Sequence, residues 1–263
     1  MTTRERGLRD AAAIILAALT ALAATPSRAT DCAFEPQGEG HVAGVIDGRS
    51  FRLVDGREIK LAGIEPAVAD ATKADRTADL SAIIAGKDVS LRGEDDAPDR
   101  YGRQNAFVFL ADSDTPVQSL LLTEGAALVS SEISEKACAT ALLAAEAEAR
   151  RTRKGAWAGS SVIKNAESTD DILAGIGHFL LVEGRVLSVR QAGATTYLNF
   201  GRRWTRDFAV TISRRNMPAV ESAGVALKSL ENRRIRVRGW VEARPAPRIE
   251  VVRAGQIEVL SGN

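Results

Sequence analysis

Phe51, Leu53 and Ile59 fall at every second position on either side of Asp55-Gly56 in "SFRLVDGREIKLAGI", and that spacing narrows the local fold to one form. Apolar side chains at period two put one face of an extended chain against a core, and an Asp-Gly pair between two such runs supplies a tight reversal. The pattern continues upstream in "HVAGVI" and downstream in "DVSLRG" and "QNAFVFLAD". Helical stretches lie between and after these strands. "DRTADLSAIIAG" ends at Gly86, "PVQSLLLTEG" at Gly125 and "SEKACATALLAAEAEARRTRKG" at Gly155, and glycine is the residue that most readily closes a helix. Strands first and helices after predict an α+β unit over residues 30–158, a small barrel backed by helices.

Beyond it, residues 159–176 are small, polar and unpatterned, and read as a linker with one short helical turn. Residues 177–263 are mainly β. "HFLLVEGRVLSVRQAG", "TTYLNFG", "RDFAVTI", "RRIRVRGWVEAR" and "PRIEVV…QIEVL" alternate between turn residues, and the one helical candidate, "PAVESAGVALKSLE", falls after the third strand. Five strands with a helix in that place is the layout of the partly open Greek-key barrel called the OB-fold. Another five-stranded barrel or a sandwich is the alternative.

Charge divides along the chain. Residues 30–158 carry about 15 basic and about 22 acidic side chains, and residues 177–263 about 15 and about 7. The first unit therefore repels a polyanion, and the second attracts one.

The N-terminus reads as a signal peptide over residues 1–29. Arg4, Arg6 and Arg9 precede an apolar run from Ala11 to Ala24, and Ser27-Arg28-Ala29 places small residues where a signal peptidase reads, predicting cleavage before Thr30. About 14 apolar residues fall short of the roughly 20 that span a bilayer. A lipoprotein anchored at Cys32 is a further alternative, but "ATD" lacks the small-residue context before the cysteine. The expected product is secreted or periplasmic, with no membrane span in the mature chain. In an oxidising compartment the two cysteines, Cys32 and Cys138, are expected to form a structural disulfide. Cys138 has no nucleophile signature, and His41 and His178 are distant from it in sequence.

Several segments of the first unit, in order, resemble the staphylococcal-nuclease-like (thermonuclease) family: "VIDGRSFRL", "IKLAGIEPA", "DRYGRQNAFVFL", "VQSLLLTEGAALV" and "AEAEARRTRKGAWA". The second unit resembles bacterial OB-fold nucleic-acid-binding modules through "TYLNFG" and "IRVRGWVE". The resemblance implies a staphylococcal-nuclease-like OB-type β-barrel with helices followed by a second, small OB-fold β-barrel. It also implies an active site in which carboxylates hold Ca²⁺, a glutamate assists the attacking water and two arginines clamp the phosphate. On this chain Asp47 and Glu65 stand at two of the metal positions, and Lys60 and Arg103 at the two clamp positions. Arg49 replaces the principal metal aspartate, and Val68 replaces the general base. No cofactor is expected on this pattern, with Ca²⁺ required if the site works.

The leading expectation is therefore a nuclease scaffold with a degenerate site that binds nucleic acid. An active thermonuclease-type endonuclease with a rearranged site is the alternative, built from Asp47, Glu65, Lys60 and Arg103, with Asp70 supplying a carboxylate. The acidic loop of Glu94, Asp95, Asp96 and Asp99 could also hold an ion, or be only a solvated turn. A third reading is a non-enzymatic envelope scaffold. In the second unit, alternation turns Leu198 and Phe200 inward and Tyr197 and Asn199 outward. Trp204 lies among Arg202, Arg203 and Arg206, while Arg234, Arg236 and Arg238 share a strand face opposite Ile235 and Val237. Tyr197, Arg202, Arg203, Trp204, Arg206, Arg236 and Arg238 are thus the candidate contacts to single-stranded DNA or RNA. The alternative is a solubilising face, with Trp204 or Trp240 capping the core.

If the barrel is a faithful degenerate copy, an Arg49→Asp, Val68→Glu double substitution should gain Ca²⁺-dependent cleavage of a labelled oligonucleotide. No gain, with no Ca²⁺ binding by calorimetry, would show that this loop is aligned wrongly.

Overall fold

The computed structural model describes residues 32, 34–67, 73–130, 133, 135–159, 162–222 and 224–260. The expected signal peptide lies outside them, as do Val68 and Asp70. Among the described residues no helix is long and apolar enough to cross a membrane.

The first unit contains β1 (Glu35–Asp47), β2 (Ser50–Leu53), β3 (Glu58–Leu61), β4 (Ile64–Pro66), α1 (Lys73–Ile84), β5 (Asp88–Gly93) and β6 (Arg103–Leu110). α2 (Val117–Thr123), β7 (Ala127–Val129) and α3 (Lys136–Thr152) follow. Five strands close a barrel in the order β1-β2-β3-β6-β5. The long β1 makes closure possible, because its first half pairs with β5 and its second half with β2. Only the β3–β6 contact is parallel, since α1 carries the chain across before β5 and β6. Phe51, Leu53, Ile59, Leu61, Leu91 and Phe109 fill the interior, as the period-two reading requires.

α3 ends earlier than expected. Its last helical residue is Thr152, Arg153 takes the left-handed conformation at φ 54°, and Arg150 and Arg151 occupy the last turn, where cations favour the helix dipole. Gly155 serves a different purpose: a Cβ there would lie 2.4 Å from the Glu124 carbonyl oxygen, so glycine is what lets the chain pass the end of α2. The Cys32–Cys138 disulfide ties the start of the described chain to α3.

Residues 162–176 are more than a tether. They form β8 (Ile163–Asn165), which pairs in parallel with β9 (Phe179–Arg185), and α4 (Thr169–Leu173). Val162, Ala166 and Ile172, set among polar neighbours, are the residues they bury.

The rest of the second unit contains β10 (Ser188–Ala192), β11 (Thr195–Asn199), β12 (Ala209–Ser213), α5 (Met217–Glu221), β13 (Arg234–Ala243), β14 (Pro247–Glu250) and β15 (Ile257–Val259). β9 and β10 act as one bent first strand. β10, β11 and β12 form an antiparallel meander, β14 pairs in parallel with β12, and β13 pairs antiparallel with both β14 and β9. This is the strand order of the first barrel, with α5 where α1 stands there. The last predicted strand is broken in two. The buried Gln256 accepts from Val252 N at 2.7 Å and donates to the Arg238 and Glu250 carbonyls at 3.1 and 3.0 Å. This turns the chain so that β15 pairs with β13.

The barrels dock on each other. Ala67, Leu128, Ala149 and Trp157 of the first pack with Val162, Phe179 and Leu181 in one apolar cluster. Beside it Arg238 of β13 forms a two-pronged pair with Glu146 of α3, both bonds at 2.9 Å, with side chains 3% and 1% exposed. The same guanidinium donates to the Val129 carbonyl at 3.0 Å, and Glu146 accepts from Val129 N at 2.7 Å. Arg150 and Glu258 add a looser pair at 3.6 Å. Arg238→Met leaves Glu146 buried without its counter-ion and should cost about 3–5 kcal/mol in urea unfolding, and adding Glu146→Leu should restore much of it. Cys138→Ala should cost up to about 4.7 kcal/mol, the loop-closure entropy for a ring of about 100 residues, read the same way.

Candidate nucleic-acid interface and barrel cleft

The turn between β1 and β2 brings together three of the residues read from sequence. The Arg49 guanidinium is ion-paired with the buried Glu65 carboxylate of β4, and Arg49 N donates to Asp47 Oδ1 at 2.9 Å. Gly48 between them is buried against α1, where a Cβ would lie 2.9 Å from Arg76 Cβ. A cation of the chain itself thus pairs with one of the two carboxylates, and the backbone of the same residue holds the other. Ca²⁺ requires six to eight oxygen ligands, and the described residues here do not fit it. Among the described residues no group of three or more His, Cys, Asp or Glu side chains converges anywhere in a way that could hold a metal.

The two clamp positions, Lys60 and Arg103, are held differently. Lys60 lies on β3 opposite Ser50 and Asn105, and neither it nor Arg103 lines the cavity beside Arg49. Arg103 is instead turned into its own loop, where Nη2 and Nε donate to Asp99 Oδ2 at 2.8 and 3.1 Å and the backbone N to Oδ1 at 3.0 Å. Desolvation works against the charged Asp99 carboxylate, but the bonds from Arg103 and from Tyr101 N outweigh it and hold its pKa at about 2. The acidic loop is built around such turns: Asp95 Oδ1 caps Ala97 N at 3.0 Å.

The cavity beside Arg49, about 270 Å³, is walled by both barrels: Asp47, Gly48, Arg49, Glu65, Pro66 and Arg76 from the first, His178, Phe179 and Trp240 from the second. Trp240 meets Phe179 edge-on, with ring centroids 6.2 Å apart, and stays 45% exposed.

A larger cleft, about 700 Å³, crosses the outer face of the second barrel. Strand register builds it: Arg190, Tyr197 and Thr211 form one row across β10, β11 and β12, and Ser188, Asn199, Ala209 and Arg248 form the next, reaching β14. Leu198 and Phe200 point into the core as expected. One wall is the loop carrying Arg202 and Trp204. Asp207 Oδ2 holds that loop by accepting from Arg203 N at 2.7 Å, and a Cβ on Gly201 would lie 2.1 Å from the same oxygen. Trp204 is left 74% exposed at the rim and does not cap the core. The other wall is the β13–β14 loop, Arg244 to Pro247. Four arginines and two aromatic rings line the cleft, and among the described residues no acidic side chain does.

Of the seven residues read as contacts, Tyr197, Arg202 and Trp204 line this cleft, and Arg203 and Arg206 are exposed beside it. Arg236 and Arg238 are corrections. Alternation turned them outward as expected, but that outer face is covered, not solvated. Arg236 bonds Glu258 and Glu183 at 2.7 and 2.9 Å, and Arg238 is consumed by Glu146. Burial opposes ionisation of Glu183, yet the bonds from Arg234 and Arg236 outweigh it and lower its pKa. Arg190, Arg244 and Arg248 were missed. The signal for Arg190 was present, because it alternates in register with Tyr197 across the hairpin.

Asp99 gives a pH prediction with a definite sign. Its folded pKa lies below the ordinary 3.8, so its pairing with Arg103 is intact above that value and is lost as pH falls toward about 2. Carboxyl NMR should place its midpoint there, and Arg103→Ala should move it back up.

Residues 70–159 match the family model described as Staphylococcal nuclease homologue, and no curated protein matches the chain. The matched segment starts after Asp47, Arg49, Lys60 and Glu65 and includes Arg103. The chain therefore carries a staphylococcal-nuclease-like domain, matched over residues 70–159 and closed into its barrel by β1, β2 and β3.

Proposed function

We propose that this protein binds single-stranded nucleic acid through the cleft of its second barrel and uses its nuclease-like barrel as a non-catalytic support. A nuclease-like domain carries nucleic-acid binding as its coarse expectation. The observation that carries the finer reading is the lining of the larger cleft, where Arg190, Arg202, Arg244 and Arg248 surround Tyr197 and Trp204; among the described residues no acidic side chain lines it, and Glu242 meets Arg248 from outside at 3.5 Å. Guanidinium groups meet phosphates in pairs of hydrogen bonds, and aromatic rings stack bases of any sequence. The Arg49–Glu65 pair argues against Ca²⁺-dependent hydrolysis, because the carboxylate that would face the metal already has a cation. We further propose that the chain is exported to the periplasm or medium by residues 1–29; the Cys32–Cys138 disulfide supports an oxidising destination.

The test is a doubly labelled single-stranded oligonucleotide mixed with the mature chain, read for anisotropy and dequenching together. Binding without cleavage is expected, whether with Ca²⁺, Mg²⁺ or EDTA. Four phosphate contacts predict a log–log salt slope near −3. Trp204→Ala and Arg244→Ala should each weaken binding about tenfold or more. Metal-dependent dequenching at substoichiometric protein would overturn the non-catalytic reading, and silence in both channels would overturn the binding one.

A further inference from the structure

We infer that the cavity at the junction of the two barrels is a second nucleotide position, which takes a base from the same strand that lies in the larger cleft. This rests on the proposed nucleic-acid reading and extends it to a place that neither barrel forms alone. Trp240 and Glu242 alternate along one side of β13, and Arg244 follows the last residue of that strand. Trp240 stands at the cavity, Glu242 meets Arg248 at 3.5 Å, and Arg244 and Arg248 line the cleft. One strand of the sheet therefore leads from one site to the other. At about 3.3 Å per residue the distance is about 13 Å, or about four nucleotides of stacked chain.

The cavity has the chemistry for a base. Trp240 keeps almost half its surface open despite its edge contact with Phe179, and His178 adds a second ring. An indole left open in this way stacks a base. Arg76, from α1, supplies a guanidinium for the attached phosphate. Asp47 on the same wall disfavours a run of bare phosphates and accepts hydrogen bonds from the amino groups of cytosine, adenine or guanine. Four guanidinium groups suit the cleft to backbone, and mixed charge beside an aromatic wall suits the cavity to a single base.

The probes are labelled oligodeoxycytidylates of about three and about twelve nucleotides, the first confined to the cleft and the second able to reach both sites. On the full mature chain, Trp240→Ala and, separately, Arg76→Gln are expected to weaken the long probe about tenfold and leave the short one unchanged. An equal loss on both probes would mean a disturbed junction and would overturn the inference, as would no loss on the long probe. Trp204→Ala reads the cleft alone and should weaken both lengths. If that holds while Trp240→Ala and Arg76→Gln have no effect, the nucleic-acid reading stands and the second position falls. Wild-type protein that binds neither probe removes both.

Discussion

The Arg238–Glu146 pair is what turns two small barrels into one molecule. Each charge is stripped of water, and each finds the same three things at the junction: an opposite charge in two-pronged geometry, the backbone of Val129, and an apolar cluster beside it. Such a pair contributes little net stability compared with apolar packing, because desolvation offsets most of the attraction. Its effect is on register. A guanidinium can meet a carboxylate in this way at one position only, so β13 is seated on α3 without freedom to slide. The cavity beside Arg49 exists because of that seating, with Trp240 two residues further along the same strand.

At the β1–β2 turn the nuclease-like barrel carries an ion pair of its own. The Arg49 guanidinium pairs with the carboxylate of Glu65 on β4, while the backbone N of the same residue donates to Asp47 in the β1–β2 turn. Arg49 keeps the turn closed, since it links Asp47 and Glu65. Asp99 plays a related part in the loop before β6, gathering Arg103 and the backbone of its own loop.

Much of this was legible in the sequence, and the exceptions share a cause. Period-two runs around Asp55-Gly56 and through Tyr197 to Phe200 report the face a side chain takes, and that held for Phe51, Leu53, Leu198 and Phe200. Alternation cannot report what lies beyond the outer face. Arg236 and Arg238 point away from their own core as the pattern says, yet α3 of the first barrel covers Arg238, and Glu183 and Glu258 on the neighbouring strands hold Arg236. The same blindness hid Arg244 and Arg248, which reach the cleft only because β14 inserts beside β12, a pairing of segments far apart in sequence. Residues 162–176 looked like a tether because their apolar residues are few. Three of them, Val162, Ala166 and Ile172, are enough to pin that segment down.

The burial of Glu146 also bears on the order in which the molecule is made. Synthesis delivers α3 long before β13, so for an interval the carboxylate faces water and is content there. When the second barrel arrives, water must leave both charges before either gains its partner. A half-seated arrangement, with the charges dry but apart, is therefore the least favourable of all. Assembly of the two barrels is consequently a single latch event: the halves are either separate and hydrated or closed and dry, with no stable stage between.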